Sequence, residues 1–310
     1  MKYLFGPVPS RRLGVSLGVD LVPHKVCSLN CIYCEVGRTN YLTITRKEYV
    51  PIDEVIAELK EYFSQEPELD FVTFSGQGEP TLNSGLGKVI SFIKDNYPKF
   101  KVAVITNGTL FWEKKVRKEV LSADVILPSL DAVSKNIFLK LNRPFKELDI
   151  KQIITGLIKL RKEFKGKIFL EVFFVPGIND SKSELVLIKK TIEKINPDLI
   201  QLNSLDRPGT ETWVETLSQK KLKEIVTFLK PLPAEIISNP KTRKKIQSFN
   251  QNIADQILDT IRRRPATDND LAEILDLHLN ELNKYLSELI AAGKIESNKQ
   301  ERGTFFKLKN

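Results

Sequence analysis

The sequence predicts an α/β protein, with a partial barrel of six strand–helix units followed by a small α+β domain. Short apolar runs typical of buried strands alternate with amphipathic segments up to about residue 230, which indicates a parallel sheet with crossover helices. Six units are too few for an eight-stranded barrel, so an open or partial barrel fits the count. Polar or glycine-rich segments follow the predicted strands, and such folds bind ligands at the carboxyl ends of their strands.

Each unit is located by its apolar residues. The opening segment 5–14 is turn-rich, and the first barrel strand is expected from about Val15 to Leu21. Val55, Leu59 and Phe63 recur at helical spacing and predict the first helix. The same reasoning predicts strands at 71–74, 101–106, 125–130, 167–175 and 199–205, and helices around 86–93, 116–120, 150–158, 185–195 and 222–229.

The pattern changes after residue 230, where prolines interrupt it. A basic linker is expected at 241–249, so the predicted domains are 1–240 and 250–310. In the second domain, apolar residues predict three helices, and Thr267 or Asp268 can cap the second one. Two short strands with a polar turn follow at 294–308. Three helices and a hairpin resemble a winged helix-turn-helix domain.

Composition and charge limit the partners. The chain carries a formal net charge of +9 with a pI near 9.2, which suggests nucleic acid or an acidic electron-transfer protein, although surface lysine also serves solubility. No signal peptide precedes Gly6-Pro7, and no apolar run is long enough to span a membrane. Cysteines clustered in one loop indicate metal binding rather than disulfides. We therefore expect a cytoplasmic protein.

Cys27, Cys31 and Cys34 are the three cysteines of the chain and lie within eight residues. Three thiolates are one fewer than the four that close an iron–sulfur cluster. A set of three leaves one metal position open, which is typical of catalytic sites. The alternatives are a zinc site, for which His24 and His278 are the available histidines, and a cluster with its fourth ligand from elsewhere.

The spacing Cys-x3-Cys-x2-Cys, with Tyr33 before the last cysteine, resembles the signature of the radical S-adenosylmethionine (SAM) superfamily. Gly76-Gln-Gly-Glu-Pro80 at the end of a predicted strand resembles the Gly-Gly-Glu-Pro element of that superfamily, with Gln77 in place of the usual second glycine. The resemblance covers residues 1 to about 240. It implies a [4Fe–4S] cluster on the three cysteines, with SAM chelating the fourth iron, and reductive cleavage to a 5′-deoxyadenosyl radical that abstracts hydrogen.

The resemblance also implies cofactor contacts at the strand ends. Gly76, Gly78 and Glu79 are expected near the methionyl group of SAM, Ser129 and Asp131 near its ribose or carboxylate, and Val175 near adenine. The full set of expected cofactor contacts is Tyr33, Gly76, Gly78, Glu79, Thr106, Asn107, Ser129, Asp131 and Val175. The alternative for each is ordinary turn chemistry at a strand end.

Four arginines are candidates for contact with substrate: Arg11, Arg12, Arg143 and Arg207. The alternative is a structural guanidinium bonded to loop carbonyls or carboxylates. The segments 6–14 and 206–209 resemble an uncharacterised branch related to wyosine-forming tRNA enzymes. Those enzymes carry a second cluster on further cysteines, which this sequence lacks, so wyosine synthesis and methylthiolation are disfavoured.

These observations predict a single-cluster radical SAM enzyme that modifies RNA or a polypeptide through its second domain. The third helix of that domain is poor in cations, whereas the clusters 241–245 and 262–264 are basic. A flavodoxin or ferredoxin is the expected electron donor. Two other functions remain open: an iron–sulfur transcriptional regulator that senses redox state or SAM and binds DNA, and a radical SAM enzyme that acts on a small metabolite.

Overall fold

The central element is an eight-stranded sheet with the order β1-β2-β5-β6-β7-β8-β9-β10. The computed structural model describes residues 1–310 except 11, 24, 238–252, 278, 301 and 310. Strands β2 through β10 of this sheet are parallel, and β1 pairs antiparallel with β2 at one edge. A separate parallel pair, β3 and β4, flanks the segment 27–40, here called the cysteine loop. The strands are β1 (Leu4–Ser10), β2 (Gly14–Val19), β3 (Val26–Cys27), β4 (Tyr41–Leu42), β5 (Phe71–Phe74), β6 (Lys101–Thr106), β7 (Val125–Pro128), β8 (Lys167–Phe174), β9 (Leu199–Ser204) and β10 (Ala234–Ile236).

Helices cover the outer face of this sheet. Their apolar stripes pack on strand residues such as Val72, Val104 and Ile200, which are fully buried, as expected for a parallel sheet enclosed by helices. The helices are α1 (Ile52–Phe63), α2 (Leu86–Asn96), α3 (Lys114–Glu119), α4 (Lys135–Asn142), α5 (Ile150–Glu163), α6 (Lys182–Ile195) and α7 (Gln219–Leu229), with a short 3-10 turn at Pro80–Leu82. No described helix has both the length and the apolar character needed to cross a bilayer.

The sheet is curved and open. Arg12, which follows β1, pairs with Glu171 on β8, although five strand spacings of about 4.8 Å separate β1 from β8 along the sheet. A flat sheet would put these strands about 24 Å apart, beyond the reach of one side chain. Leu13 also packs with Ala103 and Leu127 on the inner face. The inner face is therefore concave, while β1 and β10 form the two edges of the sheet.

Several elements differ from the sequence-based expectation. Residues 5–14 were expected to be turn-rich, but residues 4–10 form β1, whose register with β2 is irregular between Phe5 and Val8. Prolines are tolerated there because β1 is an edge strand. Helix α4 and the short strand β10 were not predicted. Helix α4 spans eight residues and ends at Arg143 in the left-handed conformation, so its apolar periodicity is brief.

Residues 253–309, here called the C-terminal unit, form a second layer of structure with its own apolar core. The core includes Ile257, Leu271 and Leu282, and Thr267 caps the second helix in a reciprocal capping box with Asp270. The antiparallel sheet has the order β11-β13-β12. The elements are α8 (Ile253–Arg263), β11 (Ala266–Thr267), α9 (Asp268–Leu275), α10 (Leu279–Ala291), β12 (Ile295–Gln300) and β13 (Gly303–Leu308).

The C-terminal unit contacts the main sheet through arginines. Arg263 lies 3.2 Å from a carboxylate oxygen of Asp20 and 4.0 Å from the centre of the Phe5 ring. Arg302 pairs with Asp206, which follows β9. At least one arginine of the basic cluster 262–264 therefore faces the sheet. The predicted linker 241–249 and its basic residues lie outside the described residues.

Asp198 links α5, β8 and β9 and makes stability depend on pH. It accepts hydrogen bonds from Lys167 Nζ at 2.8 Å, Ile168 N at 2.9 Å and Arg161 Nη1 at 2.7 Å. Burial opposes ionisation, but these bonds and the two positive charges outweigh it and lower the pKa of Asp198. A lowered folded-state pKa stabilises the protein above the unfolded value, which is about 3.9, and this contribution is lost as the pH falls through the folded-state pKa.

We therefore expect Asp198→Asn to lower the free energy of unfolding by about 1–3 kcal/mol near neutral pH. The difference from wild type should shrink as the pH falls below about 4. Urea denaturation across this pH range measures it, with Glu68→Gln on the exposed surface as the control. A difference that stays constant with pH would contradict the role of the charge.

Candidate functional site

The cysteine loop lies across several strand-end segments of the main sheet. Cys27 ends β3, and its carbonyl accepts a hydrogen bond from Thr43 N at 2.9 Å. Asn30 N and Ile32 N donate to the carbonyls of Asn142 and Leu141, at 2.9 and 3.0 Å. The loop is therefore held by backbone bonds from both sides, which restrict the positions of its three thiols.

Each thiol of the loop meets a nitrogen donor. Lys25 Nζ lies 3.1 Å from Cys34 Sγ. Asn107 Nδ2 lies 3.5 Å from Cys27 Sγ, and Asn142 Nδ2 lies 3.4 Å from Cys31 Sγ. Hydrogen bonds to sulfur favour the thiolate form and tune the potential of a bound cluster.

The donor set fits a metal cluster. The cysteines are half-buried. Burial raises the pKa of Cys27 to about 12 and also raises the pKa of Cys31, so a cation is needed to hold these groups as thiolates. No three His, Cys, Asp or Glu side chains of the described residues surround one metal-ion position. In a four-iron cluster each thiolate binds a different iron, so the three sulfur atoms do not have to converge on one point.

The segment Gly76–Glu79 packs against the start of the cysteine loop. A Cβ at Gly78 would lie 2.1 Å from the carbonyl oxygen of Val26, and one at Gly76 would lie 2.4 Å from a carboxylate oxygen of Asp20. Gln77 N donates to Asp20 at 3.1 Å, and Glu79 N donates to Val26 O at 3.0 Å. Both glycines are thus required by close contacts within the protein.

Glu79 is buried and holds the end of β6. Its Oε1 accepts from the hydroxyls of Thr81 and Thr106, each at 2.6 Å, and its Oε2 accepts from Asn107 N at 2.7 Å. Burial raises the pKa of Glu79, and these hydrogen bonds oppose the rise. Asn107 in turn donates to Ser28 Oγ at 2.9 Å. Glu79 therefore acts on the cysteine loop through Asn107.

Asp131 organises a second buried network. It accepts from Asn142 Nδ2 and Phe173 N, each at 2.9 Å, and from the hydroxyl of Tyr33, whose ring stacks on Phe173 at 3.9 Å. Burial raises the pKa of Asp131 to about 6, against the effect of these bonds. Tyr33 and Asp131 thus lie together beside Cys31.

The remaining predicted strand-end residues are less exposed to a ligand. Val175 N donates to Asn179 Oδ1 at 2.8 Å, so this backbone donor is already bonded. Asn179 also donates to the carbonyls of Asp131 and Phe173. Ser129 forms an isolated parallel β-bridge with Glu171 on β8. It lies two residues before Asp131 in the chain.

The candidate arginines occupy different environments. Arg12 pairs with Glu171, and Arg143 pairs with Glu211, which matches the structural alternative. Arg207 is only 7% exposed and lies between Glu35 and Asp270, at 3.7 and 3.6 Å. Arg11 lies outside the described residues, as do His24 and His278.

Sequence reasoning missed four polar residues of this site: Asp20, Lys25, Asn142 and Asn179. Asn142 precedes Arg143 in Leu-Asn-Arg-Pro, and Asn179 follows Pro-Gly in the loop after β8. Single asparagines in turn-rich segments are common. Their partners lie far away in sequence, so no local pattern distinguishes them.

Comparison with known proteins agrees with this geometry. Residues 21–187 match the family model of the Radical SAM superfamily. A UPF0026 protein of Methanocaldococcus jannaschii is 31% identical over 93% of this chain and 91% of that protein. A Brachyspira hyodysenteriae protein named GTPase Obg is 36% identical over 95% of this chain, which spans only 43% of that protein. A radical SAM methyltransferase structure from Sphaerobacter thermophilus has a TM-score of 0.55 at 17% identity, covers 71% of this chain and 65% of its own, and shows the fold alone.

Asn142 gives a direct test of the buried network. Replacing it by alanine removes a donor from Asp131, so we expect Asn142→Ala to lower the free energy of unfolding by about 1–3 kcal/mol. Loss of the donor also raises the pKa of Asp131, so the destabilisation should be larger at about pH 8, where the carboxyl ionises, than at about pH 5.

Urea denaturation of the metal-free protein at both pH values measures this effect. Asn136→Ala, an exposed position on the same helix, should change the stability by less than about 0.5 kcal/mol. Equal destabilisation at the two pH values would show that Asn142 contributes by packing rather than by its bond to the carboxylate.

Proposed function

Because the chain belongs to the radical SAM superfamily, we propose that it cleaves SAM reductively at a [4Fe–4S] cluster on Cys27, Cys31 and Cys34. Proteins of this superfamily use that cluster and SAM. The cluster would supply one electron to SAM, whose carbon–sulfur bond would break to give methionine and a 5′-deoxyadenosyl radical, and that radical would take a hydrogen atom from the substrate. The observation that best supports this proposal is that each of the three clustered thiols lies within hydrogen-bond distance of a nitrogen donor.

The side chains around the cysteine loop have supporting roles in this proposal. Lys25, Asn107 and Asn142 place positive charge or N–H dipoles at the sulfur atoms, which tunes the potential and favours thiolate. Glu79 positions Asn107, because its Oε2 accepts a hydrogen bond from the backbone N–H of Asn107. Gly76 and Gly78 let their segment reach the cysteine loop.

The other predicted contacts to SAM form a second part of the proposal. Tyr33 and Asp131 are paired beside Cys31, Ser129 lies next to them, and Thr106 ends β6. We assign these positions to SAM, with Val175 near adenine. Its N–H is bonded to Asn179, and its carbonyl accepts from Ile178 N at 3.1 Å and keeps a second lone pair for a ligand. An electron donor such as a flavodoxin or ferredoxin would suit the basic surface of this chain.

The division into domains 1–240 and 250–310 is proposed from the separate apolar core of the C-terminal unit. Its three helices and antiparallel sheet support a winged helix-turn-helix assignment. Such a domain is a candidate for contact with RNA or a polypeptide, and helix α10 makes few contacts with the main sheet. This is the substrate class expected from the sequence.

A second candidate, a small substrate, is favoured by one observation. The C-terminal unit faces the concave side of the sheet, where Arg263 and Arg302 pair with Asp20 and Asp206. A cavity of about 340 Å³ lies between the two, a volume suited to a small ligand. The docked arrangement therefore favours a small molecule over a folded macromolecule at the inner face.

Anaerobic reconstitution with iron and sulfide, followed by dithionite and SAM, tests the reaction. We expect the wild type to form 5′-deoxyadenosine and methionine in equal amounts. Cys27→Ala, Cys31→Ala and Cys34→Ala should each lose the cluster and the product, because each removes a ligand to iron. Chromatography of the products and iron analysis measure both effects.

Ser91→Ala, at an exposed position on α2, is the control and should retain cluster and product. If the wild type holds an intact cluster but forms no 5′-deoxyadenosine, the enzyme proposal is wrong. The iron–sulfur transcriptional regulator would then be the hypothesis to test.

A further inference from the structure

The cavity between the sheet and the C-terminal unit is lined by both parts of the chain. Ser16 on β2, Thr73 on β5 and Ile105 on β6 form its floor on the inner face of the sheet. Arg263 and Asp270 belong to its roof in the C-terminal unit. Its volume of about 340 Å³ lies within the usual range of small-molecule sites, about 300–1,000 Å³.

The same cavity extends toward the proposed cluster. Val36, two residues after Cys34, lines it, and so does Gly76 of the segment that packs on the cysteine loop. The loop after β9 is also fixed to the cysteine loop, since Thr210 Oγ1 donates to Cys34 O at 3.1 Å. A ligand at the Val36 and Gly76 end of this cavity would therefore approach the cysteine loop.

Positive charge dominates the polar lining. Five of the described lining residues are arginines and three are acidic. Arg12, Arg263 and Arg302 have carboxylate partners within the protein. These three guanidinium charges are therefore compensated within the protein, and anion binding depends on an arginine whose donors are not already bonded.

Arg207 differs from these paired arginines. It is 7% exposed, and its Nε and Nη1 have no hydrogen-bond partner among the described residues. The carboxylates of Glu35 and Asp270 lie 3.7 and 3.6 Å away, which is too far for a good hydrogen bond. A buried donor without an acceptor is costly, so an oxyanion that reaches Arg207 would gain bonds that the protein does not supply.

We propose that this cavity binds a small substrate through an oxyanion, a carboxylate or a phosphate, that accepts hydrogen bonds from Arg207. The proposal rests on the proposed function, because it identifies the chemical class of the molecule that supplies the hydrogen atom. The oxyanion is held at Arg207, beside Asp270 of the C-terminal unit, while the rest of the molecule lies over the inner face toward Gly76. Removal of the guanidinium removes both charge and donors.

The test is isothermal titration calorimetry of the full-length reconstituted protein with inorganic phosphate and, separately, succinate at constant ionic strength. We expect saturable binding of at least one anion, and the stronger of the two distinguishes phosphate from carboxylate. Arg207→Gln should weaken that binding by about tenfold or more. Arg207→Lys should weaken it less, because charge is kept while the guanidinium donors are lost.

Arg38→Gln removes the same charge at an exposed position of the cysteine loop and should bind the anion like wild type. Circular dichroism and iron content of every variant establish that it is folded and loaded. Absence of saturable anion binding in wild type, or unchanged binding in Arg207→Gln, would overturn the proposal. Arg207→Lys retains the ion pairs. Its anion affinity therefore tests the proposal if Arg207→Gln does not fold.

Two further titrations separate the possible occupants. If Arg207→Gln weakens the binding of SAM as strongly as it weakens the binding of phosphate, the arginine binds the carboxylate of SAM. The substrate assignment is then wrong. If a single-stranded RNA binds wild type far more tightly than phosphate and loses this advantage in Arg207→Gln, a polymer rather than a small molecule occupies the site. Failure of wild type to cleave SAM would refute the proposed function. The anion titration would still test binding at Arg207, because it does not depend on SAM cleavage.

Discussion

The site depends on two buried carboxylates that each orient an asparagine toward a cysteine sulfur. Glu79 holds the backbone of Asn107, which donates to Cys27, and Asp131 accepts from Asn142, which donates to Cys31. Burial of a carboxylate is unfavourable unless donors surround it. Both carboxylates therefore fix the strand-end segments that supply those donors. The positions of the donors to sulfur follow from this requirement.

The C-terminal unit is tied to the same region by charge. Asp20 bonds the backbone of Gln77 in the segment beside the cysteine loop and also pairs with Arg263 of the C-terminal unit. Arg207 lies between Glu35, next to Cys34, and Asp270 at the start of α9. The position of the C-terminal unit and the arrangement around the cysteine loop are therefore connected through these ion pairs. For this reason the cavity between the two parts of the chain borders the site.

Much of the main fold could be predicted because its signals are local. Continuous apolar runs marked β2 and β5 to β9, six of the seven parallel strands of the described main sheet, and helical spacing marked most of the helices. Strand β1 was missed because Pro7 and Pro9 are typical of turns, whereas its pairing with β2 is a tertiary contact at an edge. The arrangement of three helices and a hairpin near the carboxyl end was also expected. The residues between these parts, 238–252, are outside the described structure.

The candidate site was predictable only in part. The cysteines stood out by their spacing. Tyr33, Gly76, Glu79 and Asp131 lie near them, and their contact with SAM stays a prediction. The donors to sulfur were harder to find, since Asn142 is 111 residues from Cys31 in sequence. Arginine candidates were equivalent in the sequence, because burial and pairing distinguish Arg207 from Arg12 and Arg143 only after folding.

The sequence by itself determined the α/β alternation and the three-thiol loop, because both depend on residue type and short spacing. Tertiary structure decided which distant side chains meet the thiols, where the sheet curves and which arginine keeps unbonded donors. These features depend on contacts between residues far apart in the chain, where burial makes every unpaired charge or donor costly. The physical consequence is a site whose three thiols are encoded locally and whose environment is assembled by the fold.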